Sequence, residues 1–389
     1  MDFELSDDQV ALRGAAAALL EGIAPMQRVR QVVDAQAPYD EELWKAISEQ
    51  GWLAVDLPED RGGLGAGAVE VAVLAEQSGR HLAPVPFLPT LLARAVLFRA
   101  ISEGTAGAGM PVGAASVTDW VERLAAGEAI GAIAWSRDPG AVTALPADGR
   151  SGPDVGGAGW TLSGRSDPVV HGPDADIVIV PAMEQGAREE PSLFALALEP
   201  GERPGAEPAM DRTRRLGWLD LARRPALRLG GPELFGWLVD RGAAAVSAEM
   251  LGGAERVLEM TVQYAKDRVQ FGRPIGSFQA IKHRCADMLV DVEGMRSATY
   301  YAAWCVGAGD QDAAAAASAA KLWCSDASRR VMASGLQVHG GIGFTWEHDM
   351  HLFLKRAQLD QLCFGDATWH RDRLAALLRS RLAQGLPVL

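Results

Sequence analysis

The hydrophobic pattern changes its period twice along this chain, and this limits the possible folds more than any single motif does. Over residues 1–115 apolar residues recur at helical spacing, as in VALRGAAAALLEGIA and FLPTLLARAVLFRAI. Over residues 116–229 apolar runs are short, rich in Val, Ile, Ala and Trp, and bounded by Gly, Pro and Asp, which indicates strands. Helical spacing returns over residues 230–389. We therefore predict an α+β chain with three domains at those boundaries: an N-terminal helical domain, a middle β-domain and a C-terminal four-helix bundle.

Local start and stop signals predict the elements inside these blocks. Ser6 with Gln9 three residues later is a capping box, and Gly51 ends the helix in DEELWKAISEQGWLAV. Strands are predicted in AIGAIAWS, GWTLSG, ADIVIVPA and SLFALALE. The Gly-rich DGRSGPDVGGAGW is predicted to be a hairpin tip because no helix follows it. Four long helices with short connections, starting near WLVDRG, FQAIKH, QDAAAA and TWHRDR, predict an up-down bundle.

Charge and composition exclude several classes of protein. The net charge is −13 and no run of Lys or Arg stands out, which argues against a nucleic-acid partner. No apolar run reaches the roughly 18 residues that a membrane span needs. The N-terminus, MDFELSDDQV, is acidic and lacks the apolar core of a secretion signal, so we expect a cytoplasmic protein. The four cysteines include no C-x-x-C, which favours reduced thiols over a disulfide framework.

Three motifs give the chain a specific resemblance. LPEDRGGLG, DRVQFGRPIGSFQAIKHRCADM and QVHGGIGFTWEHDMHLFLKRA occur in this order, and the last two are long. They resemble the P-E-x-x-G-G-x-G, R-x-Q-F-G-x-P-I-x-x-F-Q and Q-x-H-G-G-x-G motifs of the acyl-CoA dehydrogenase family, and the resemblance runs nearly end to end. It implies an acyl-CoA dehydrogenase-like fold with a β-barrel-like middle domain, and a homo- or hetero-oligomer. It also implies FAD as cofactor and an acyl-CoA thioester as substrate, oxidised between Cα and Cβ.

The resemblance further implies contacts that reach across a subunit interface to an FAD held mainly by a neighbouring chain. Arg268, at a helix end before a Gly-Pro break, suits a bidentate contact with the diphosphate. Glycines 340 and 341 let the backbone approach a flat or anionic ligand closely. The contact residues that the motifs imply are Arg268, Gln270, Phe271, Gln279, Gln337, Gly340 and Gly341.

The same residues also fit purely structural roles. Arg268 would form a surface ion pair with Asp267 or Glu259. The glycine pair at 340 and 341 would end a helix. His339 would be a capping residue, and we assign it no role in proton transfer.

The catalytic base of the family is missing at both positions where the resemblance places it. Dehydrogenation needs a group that removes the α-proton while the β-hydrogen leaves as hydride, and a carboxylate suits that task. Where many members carry Y-E-G-T, this chain has CFGD at 363–366, so Phe364 stands at the base position. Other members carry the base on the long helix before the arginine motif, and there the aligned residue is Gly242. Asp240 is two residues away, and we expect it to lie on the helix surface and pair with Arg241.

The middle domain also departs from the family. The strand that usually reads T-E-P-x-x-G-S-D reads AWSRDPGAVTAL, and the usual W-I-T-N falls on Pro168-Val169-Val170-His171. The contacts for the chain's own flavin ring are therefore mostly missing, whereas those offered to a neighbour's FAD are intact. One hypothesis accounts for both facts: the chain is the non-catalytic subunit of an α2β2 acyl-CoA dehydrogenase, with a steroid-CoA as substrate by analogy with heteromeric relatives.

A relocated base is the first alternative. Asp366 or Asp240 would then serve a homomeric dehydrogenase or a non-redox acyl-CoA enzyme. Asp366 and His370 are four residues apart and would form an acid/base dyad. The structural alternative, which we favour, is that Asp366 caps the last helix while His370 lies on an exposed face.

Two further alternatives leave dehydrogenation aside. Glu347, His348 and His351 lie close together in EHDMH, but no fourth ligand is evident, so we predict no metal site. A scaffold that only keeps the fold is the other alternative. It would have no use for Arg268 and Gln270, which speaks against it.

Overall fold

The computed structural model describes residues 4–106, 116–146, 159–186 and 190–385. The N-terminal helices are α1 (Asp7–Ile23), α2 (Met26–Ala35), α3 (Glu41–Glu49), α4 (Ala68–Arg80), α5 (Phe87–Ser102) and α6 (Val117–Ala125). The strands that follow are β1 (Gly131–Ile133), β2 (Val142–Pro146), β3 (Trp160–Arg165), β4 (Val169–Val170), β5 (Ile177–Glu184), β6 (Ser192–Ala197), β7 (Leu216–Gly217) and β8 (Asp220–Gly230). The remaining elements are α7 (Pro232–Asp267), β9 (Val269–Gln270), β10 (Arg273–Pro274), α8 (Gln279–Ala308), α9 (Ala313–His339), α10 (Gly341–Phe344), α11 (Met350–Leu362) and α12 (Ala367–Ala383).

Helices begin and end where their capping residues stand. Ser6 and Gln9 form the predicted capping box of α1, in which each side chain accepts the other residue's backbone N–H, at 3.2 and 2.9 Å. Asp40 caps α3 by accepting two backbone N–H groups of its first turn. The same helix ends just before Gly51, whose φ of 74° lies in the left-handed region that glycine adopts without strain. The predicted start of α1 and the predicted end of α3 are therefore confirmed.

By its internal contacts the chain divides into two compact units. Unit 1 comprises Met1–Asp34, Gly67–Ala83 and Asp240–Leu389, and unit 2 comprises Ala35–Ala66 and Pro84–Val239. Among the described residues, unit 1 is helical apart from β9 and β10, whereas unit 2 holds the sheet together with α3, α5 and α6. The three-domain boundaries predicted from the sequence remain a prediction.

The sheet of unit 2 closes on itself. Its strand order is β1-β5-β2-β3-β8-β6, and β6 also pairs with β5, so five strands form a ring to which β1 is added. β5 completes the ring because it pairs antiparallel with β6 over 177–182 and parallel with β2 at 183–184. Apolar side chains fill the interior, among them Trp160 and Phe194 with ring centroids 5.5 Å apart. The β-barrel-like middle region, and with it the α+β class, is confirmed.

The pattern within this region predicts only part of the secondary structure. The four predicted strands correspond to β1, β3, β5 and β6, whereas β2, β8 and the two-residue strands β4 and β7 are not predicted. Helix α6 lies inside the stretch read as strands, although its buried residues 117, 120, 121 and 124 follow helical spacing. The predicted hairpin tip in DGRSGPDVGGAGW lies outside the described residues except for its last two, and its flanking strands β2 and β3 pair antiparallel.

Unit 1 is a helical bundle whose contacts rely on small residues. Helices α8 and α9 pack along each other, and alanines 302, 316 and 320 are buried in their contact. Helix α4 approaches α7 closely at Gly252, where a Cβ atom would lie 1.8 Å from the carbonyl oxygen of Glu76. The abundant alanine and glycine therefore have a structural use here, because they let helix backbones approach.

Four of the long helices agree with the predicted bundle, namely α7, α8, α9 and α12, whereas α11 is missed. Among the described residues no helix is both long and apolar enough to cross a membrane.

Candidate functional site

The chain turns between α11 and α12 at residues 363–366, here called the corner. Phe364 has a φ of 56° and Gly365 a φ of 97°, so two successive residues adopt left-handed backbone. For a phenylalanine that conformation costs about 1–2 kcal/mol. Phe364 is nevertheless buried, with only 6% of its surface exposed. The corner thus holds an aromatic ring on an unfavourable backbone, so neighbouring groups must fix it.

The Phe364 ring packs against α7 at Gly242. A Cβ atom on Gly242 would lie 2.4 Å from Cδ1 and 2.5 Å from Cε1 of Phe364, closer than non-bonded carbons approach. Only glycine fits beneath the ring. These are also the two positions at which the resemblance places the catalytic base. The two base positions therefore meet in space, and neither carries an acid.

A buried lysine holds the corner from α9. Lys321 is fully buried, and its Nζ donates to the carbonyl oxygens of Gln361 at 3.0 Å and Gly365 at 2.9 Å. The first acceptor belongs to the last turn of α11, where the helix dipole favours a cation. Burial lowers the pKa of Lys321 to about 8, partly offset by nearby thiol and carboxyl groups. The ammonium therefore makes the hydrogen bonds that water would otherwise make at the end of α11, and it links α9 to the corner.

His370 holds the corner from α12. It is fully buried, and its Nε2 donates to the carbonyl oxygen of Phe364 at 2.8 Å, which assigns the proton to Nε2. Burial, together with the neighbouring Lys321, lowers the pKa of His370 to about 3, so the ring is neutral. The expectation that His370 lies on an exposed face is wrong, because the ring lies beneath the corner.

Asp366 is the N-cap of α12, as predicted. Its Oδ1 accepts the backbone N–H of Trp369 at 2.8 Å. The imidazole of His370 donates to the main chain of Phe364. The carboxylate therefore does not orient the imidazole, which an acid/base dyad would require.

Asp240 is engaged with the last helix. Its carboxylate lies 2.6 Å from Nη1 of Arg373, and only 15% of its side chain is exposed. Burial raises the pKa of Asp240, and Arg373 opposes that shift. The expectation of a surface pair with Arg241 is wrong, because the side chain of Asp240 lies against α12 and pairs there with Arg373.

The segment after α7 is a two-stranded hairpin that presents an aromatic ring. Arg273 pairs with Gln270 and Pro274 with Val269, which leaves a two-residue turn. Phe271 and Gly272 form that turn with φ of 52° and 74°, as a type I′ turn requires. Phe271 is 91% exposed. So exposed a ring is available for contact with another molecule.

Arg268 precedes this hairpin with an exposed guanidinium. The ion pairs that the structural alternative offered are not formed, because Glu259 pairs with Arg80 at 2.6 Å and Asp267 accepts a hydrogen bond from Gln263 at 2.8 Å. Within the described chain Arg268 has no carboxylate partner. It is therefore free to bind an anion from outside the chain.

The end of α9 presents open backbone. Gly340 caps the helix with a φ of 63°, as the structural alternative predicted. A Cβ atom on Gly340 or Gly341 would meet nothing within 4 Å, so a ligand has room to approach both. Gln337 is exposed one turn earlier, and Gln279 is exposed at the start of α8. His339 is buried, stacks on Tyr264 with centroids 4.5 Å apart, and donates from Nδ1 to a main-chain oxygen.

In unit 2, the segments where the resemblance places contacts with the flavin ring contain packed aromatic and charged side chains. Trp135, just after β1, stacks on Phe235 with centroids 6.0 Å apart and planes 7° apart. His171 is buried, and its Nδ1 lies 3.2 Å from Oδ2 of Asp174, which also pairs with Arg215 at 2.7 Å. The side chains in these segments bind one another.

The described residues contain no group of three His, Cys, Asp or Glu placed to share a metal ion. His348 Nδ1 accepts the backbone N–H of Met350, and His351 stacks on Trp346. The histidines of EHDMH thus serve local packing.

Sequence reasoning missed Lys321 and the burial of His370. One signal was present for the lysine, because it is the only charge between Ala313 and Cys324 on a helix of small and apolar residues. A lone charge on such a face is either exposed or bonded inside the core.

Comparisons with known proteins agree with these motifs. The family model described as acyl-CoA dehydrogenase, N-terminal domain, matches residues 6–128, and the one described as acyl-CoA dehydrogenase, C-terminal domain, matches residues 230–378. The chain is 33% identical over 373 residues to the acyl-CoA dehydrogenase IpdE2 of Mycolicibacterium smegmatis, which covers 96% of this chain and 99% of that protein.

Two solved structures resemble the chain over almost its whole length. A variant of the Tcur3481-Tcur3483 steroid ACAD has a TM-score of 0.83 and 30% identity, covering 97% of this chain and 99% of that chain. The ChsE4-ChsE5 complex from Mycobacterium tuberculosis has a TM-score of 0.83 and 28% identity, covering 99% of each chain.

Proposed function

The chain belongs to the acyl-CoA dehydrogenase family of FAD-dependent oxidoreductases, and from that premise we propose that it is a subunit without a catalytic base in a heteromeric enzyme. In this proposal it completes the FAD site of a partner subunit. The partner supplies the carboxylate that removes the α-proton of an acyl-CoA thioester. The assembly is an α2β2 tetramer.

The contact between Phe364 and Gly242 carries this proposal. A benzyl ring accepts no proton, and a glycine has no side chain to do so. The ring also fills the space above Gly242, so a carboxylate introduced at 242 would collide with it. Both routes by which the family supplies a base are therefore closed in this chain.

The candidate relocated bases are occupied in structural roles. Asp366 caps α12, and Asp240 is paired with Arg373. A base must stay within reach of the proton that it removes. Using either residue would break a helix cap or a buried ion pair, which speaks against a homomeric or non-redox enzyme.

The cofactor residues support the other half of the proposal. Arg268 has an exposed guanidinium without a carboxylate partner in the described chain, and a diphosphate offers the matching charge and geometry. Phe271 projects beside it, and Gly340 and Gly341 leave their backbone open to a ligand. FAD held by these residues would supply the acceptor for the β-hydride. A scaffold without a cofactor would not need this set of groups.

The names of two relatives support the composition of the assembly and the substrate class. ChsE4-ChsE5 is a complex of two differently named proteins, and Tcur3481-Tcur3483 is described as a steroid ACAD. We extend both features to this chain: a second, different subunit and a steroid-CoA thioester as substrate.

Expression alone and together with the products of neighbouring genes tests the proposal. We expect the chain expressed alone to bind almost no FAD, with an occupancy below about 10%, and to have no acyl-CoA dehydrogenase activity. With its partner we expect a tetramer that contains FAD and is reduced by an acyl-CoA. A yellow homotetramer of this chain alone that is reduced by an acyl-CoA would overturn the proposal.

A further inference from the structure

Resting on the proposed function, we infer that Arg273 is a second cation for the diphosphate of the partner's FAD. It would act together with Arg268 from the same face of the β9–β10 hairpin. Position 273 is a variable position in the R-x-Q-F-G-x-P-I motif, so the motif gives Arg273 no role; the inference comes from the register of the hairpin and the contacts of the Arg273 side chain.

The register puts the two arginines on one face. Arg273 is directly paired with Gln270, so their side chains lie on the same side of the ribbon. Arg268 precedes Gln270 by two residues, which in extended backbone returns to the same side. The ribbon continues to Arg268, whose carbonyl oxygen accepts the backbone N–H of Ile275 at 2.8 Å. One face of the hairpin therefore presents a carboxamide between two guanidinium groups.

A ring contact holds Arg273 ready for an anion. Its guanidinium lies 4.2 Å from the centroid of the Phe278 ring, within the range of a cation–π contact. Phe278 in turn meets Phe271 edge-on, with centroids 6.0 Å apart. Stacking limits the rotamers of Arg273 but leaves its N–H groups and its charge unsatisfied. The side chain is thus positioned and not neutralised.

Among the described residues Arg268 and Arg273 have no carboxylate partner, which is informative in a chain this acidic. The sequence has 50 acidic against 37 basic residues, so carboxylates are plentiful. Elsewhere in unit 1, Arg80, Arg296 and Arg356 each bind one. Within the described residues neither Arg268 nor Arg273 does. Two neighbouring guanidiniums repel each other unless an anion lies between them, and a diphosphate carries about two negative charges.

Titration of FAD into the flavin-depleted complex tests the inference. We expect Arg273→Ala to weaken FAD binding by about 10- to 100-fold, the usual effect of losing a hydrogen bond to a charged group. Arg273→Lys should lose less, because the charge stays while the bidentate geometry is lost. Phe278→Leu should weaken binding by a few-fold, because the guanidinium is no longer held.

Arg329→Ala is the matched control, since Arg329 is exposed on α9 and has no carboxylate partner in the described chain. It should leave FAD affinity unchanged. Wild-type FAD affinity in Arg273→Ala, together with weak binding in Arg268→Ala, would overturn the inference and leave the proposed function standing. Wild-type affinity in both variants would overturn both.

CoA also contains a diphosphate, so acyl-CoA binding is measured on the same variants. We expect its affinity to be unchanged in Arg273→Ala. Weakened acyl-CoA binding with normal FAD binding would contradict the assignment to FAD.

Discussion

At the scale of single residues, the pair Phe364 and Gly242 shows how one substitution constrains another. A carboxylate and a benzyl ring differ in volume as well as in chemistry. Once the ring stands at 364, the facing position on α7 has no room even for a methyl group. The loss of one base position therefore prevents the other from being used.

Gly242→Ala should lower the free energy of unfolding by about 1–3 kcal/mol, because the methyl group overpacks the Phe364 ring. In a Phe364→Ala background the same change should be neutral or stabilising by up to about 1 kcal/mol, since alanine favours helix. Chemical denaturation of the four proteins gives the coupling energy. A coupling below about 0.5 kcal/mol would mean that the two residues do not compete for space.

The buried neutral His370 should make the protein sensitive to acid. Its pKa falls from 6.5 to about 3 on folding, so between those values the unfolded chain binds more protons and stability falls as pH falls. The full effect at pH 3 is about 5 kcal/mol or less. His370→Gln keeps a donor for the Phe364 carbonyl and does not titrate.

Urea denaturation of both proteins from pH 7.5 down to pH 4 tests this expectation. The wild type should lose more stability than the Gln variant as pH falls below about 6.5, and the difference should be flat above pH 7. The other histidines whose pKa values are lowered by burial, His81, His339, His348 and His351, are present in both proteins. Their contribution therefore cancels, and parallel curves would contradict the assignment.

Whether a contact could be predicted at this scale depends on how far apart its two residues lie in the sequence. The cap formed by Asp366 joins residues three apart and could therefore be predicted from the sequence. The expected pairing of Asp240 with Arg241 failed because its partner, Arg373, lies far away in the chain. Lys321 and His370 likewise depend on a corner that only the folded chain assembles.

At the scale of elements, long helices could be predicted and short elements could not. α7, α8 and α9 each repeat their pattern over many turns, so a few atypical residues do not hide it. β2 has only five residues, so its hydrophobic pattern is too short to identify a strand. The sequence pattern does not predict α11, because the helix begins inside the histidine-rich EHDMH segment and its second half is mostly polar, with Arg356 in a buried ion pair with Glu249.

The crossing of α4 and α7 offers a test at this scale. Gly252→Ala should destabilise the protein by about 3 kcal/mol or more, because the added Cβ would lie 1.8 Å from a main-chain oxygen of α4. Backbone at such a crossing cannot move without separating the helices. Thermal unfolding of the variant measures the effect.

The adjacent Gly253 provides the control, because its Cβ would meet nothing closer than 3.7 Å. Gly253→Ala should be neutral or slightly stabilising through helix propensity. Equal destabilisation by the two substitutions would indicate a general intolerance of α7 to alanine and would contradict the close crossing.

At the scale of the whole molecule, the family could be predicted from the motifs, whereas the proposed division of labour between subunits rests on the residues that the motifs lack. In the proposed function, diphosphate contacts without a base have a use because another chain holds the flavin and the carboxylate. The exposed surface supports the same view, because large apolar side chains are left uncovered on unit 1: Val269, Phe271, Leu289, Val290, Phe344 and Trp346.

The first half of α8 gives this view a measurable consequence. Of residues 279–290 only Met288 is buried, so tertiary packing does little to hold this stretch helical. Amides there should exchange with solvent rapidly in the chain alone. In the complex with its partner, exchange of 279–290, of the β9–β10 hairpin and of α10 should slow by at least about tenfold, because the partner and its FAD cover them.

Hydrogen exchange read by mass spectrometry resolves these peptides, and the buried core of α9 serves as the internal reference, with no change expected. Protection confined to α9, or none at 279–290, would mean that the partner binds another face of the protein.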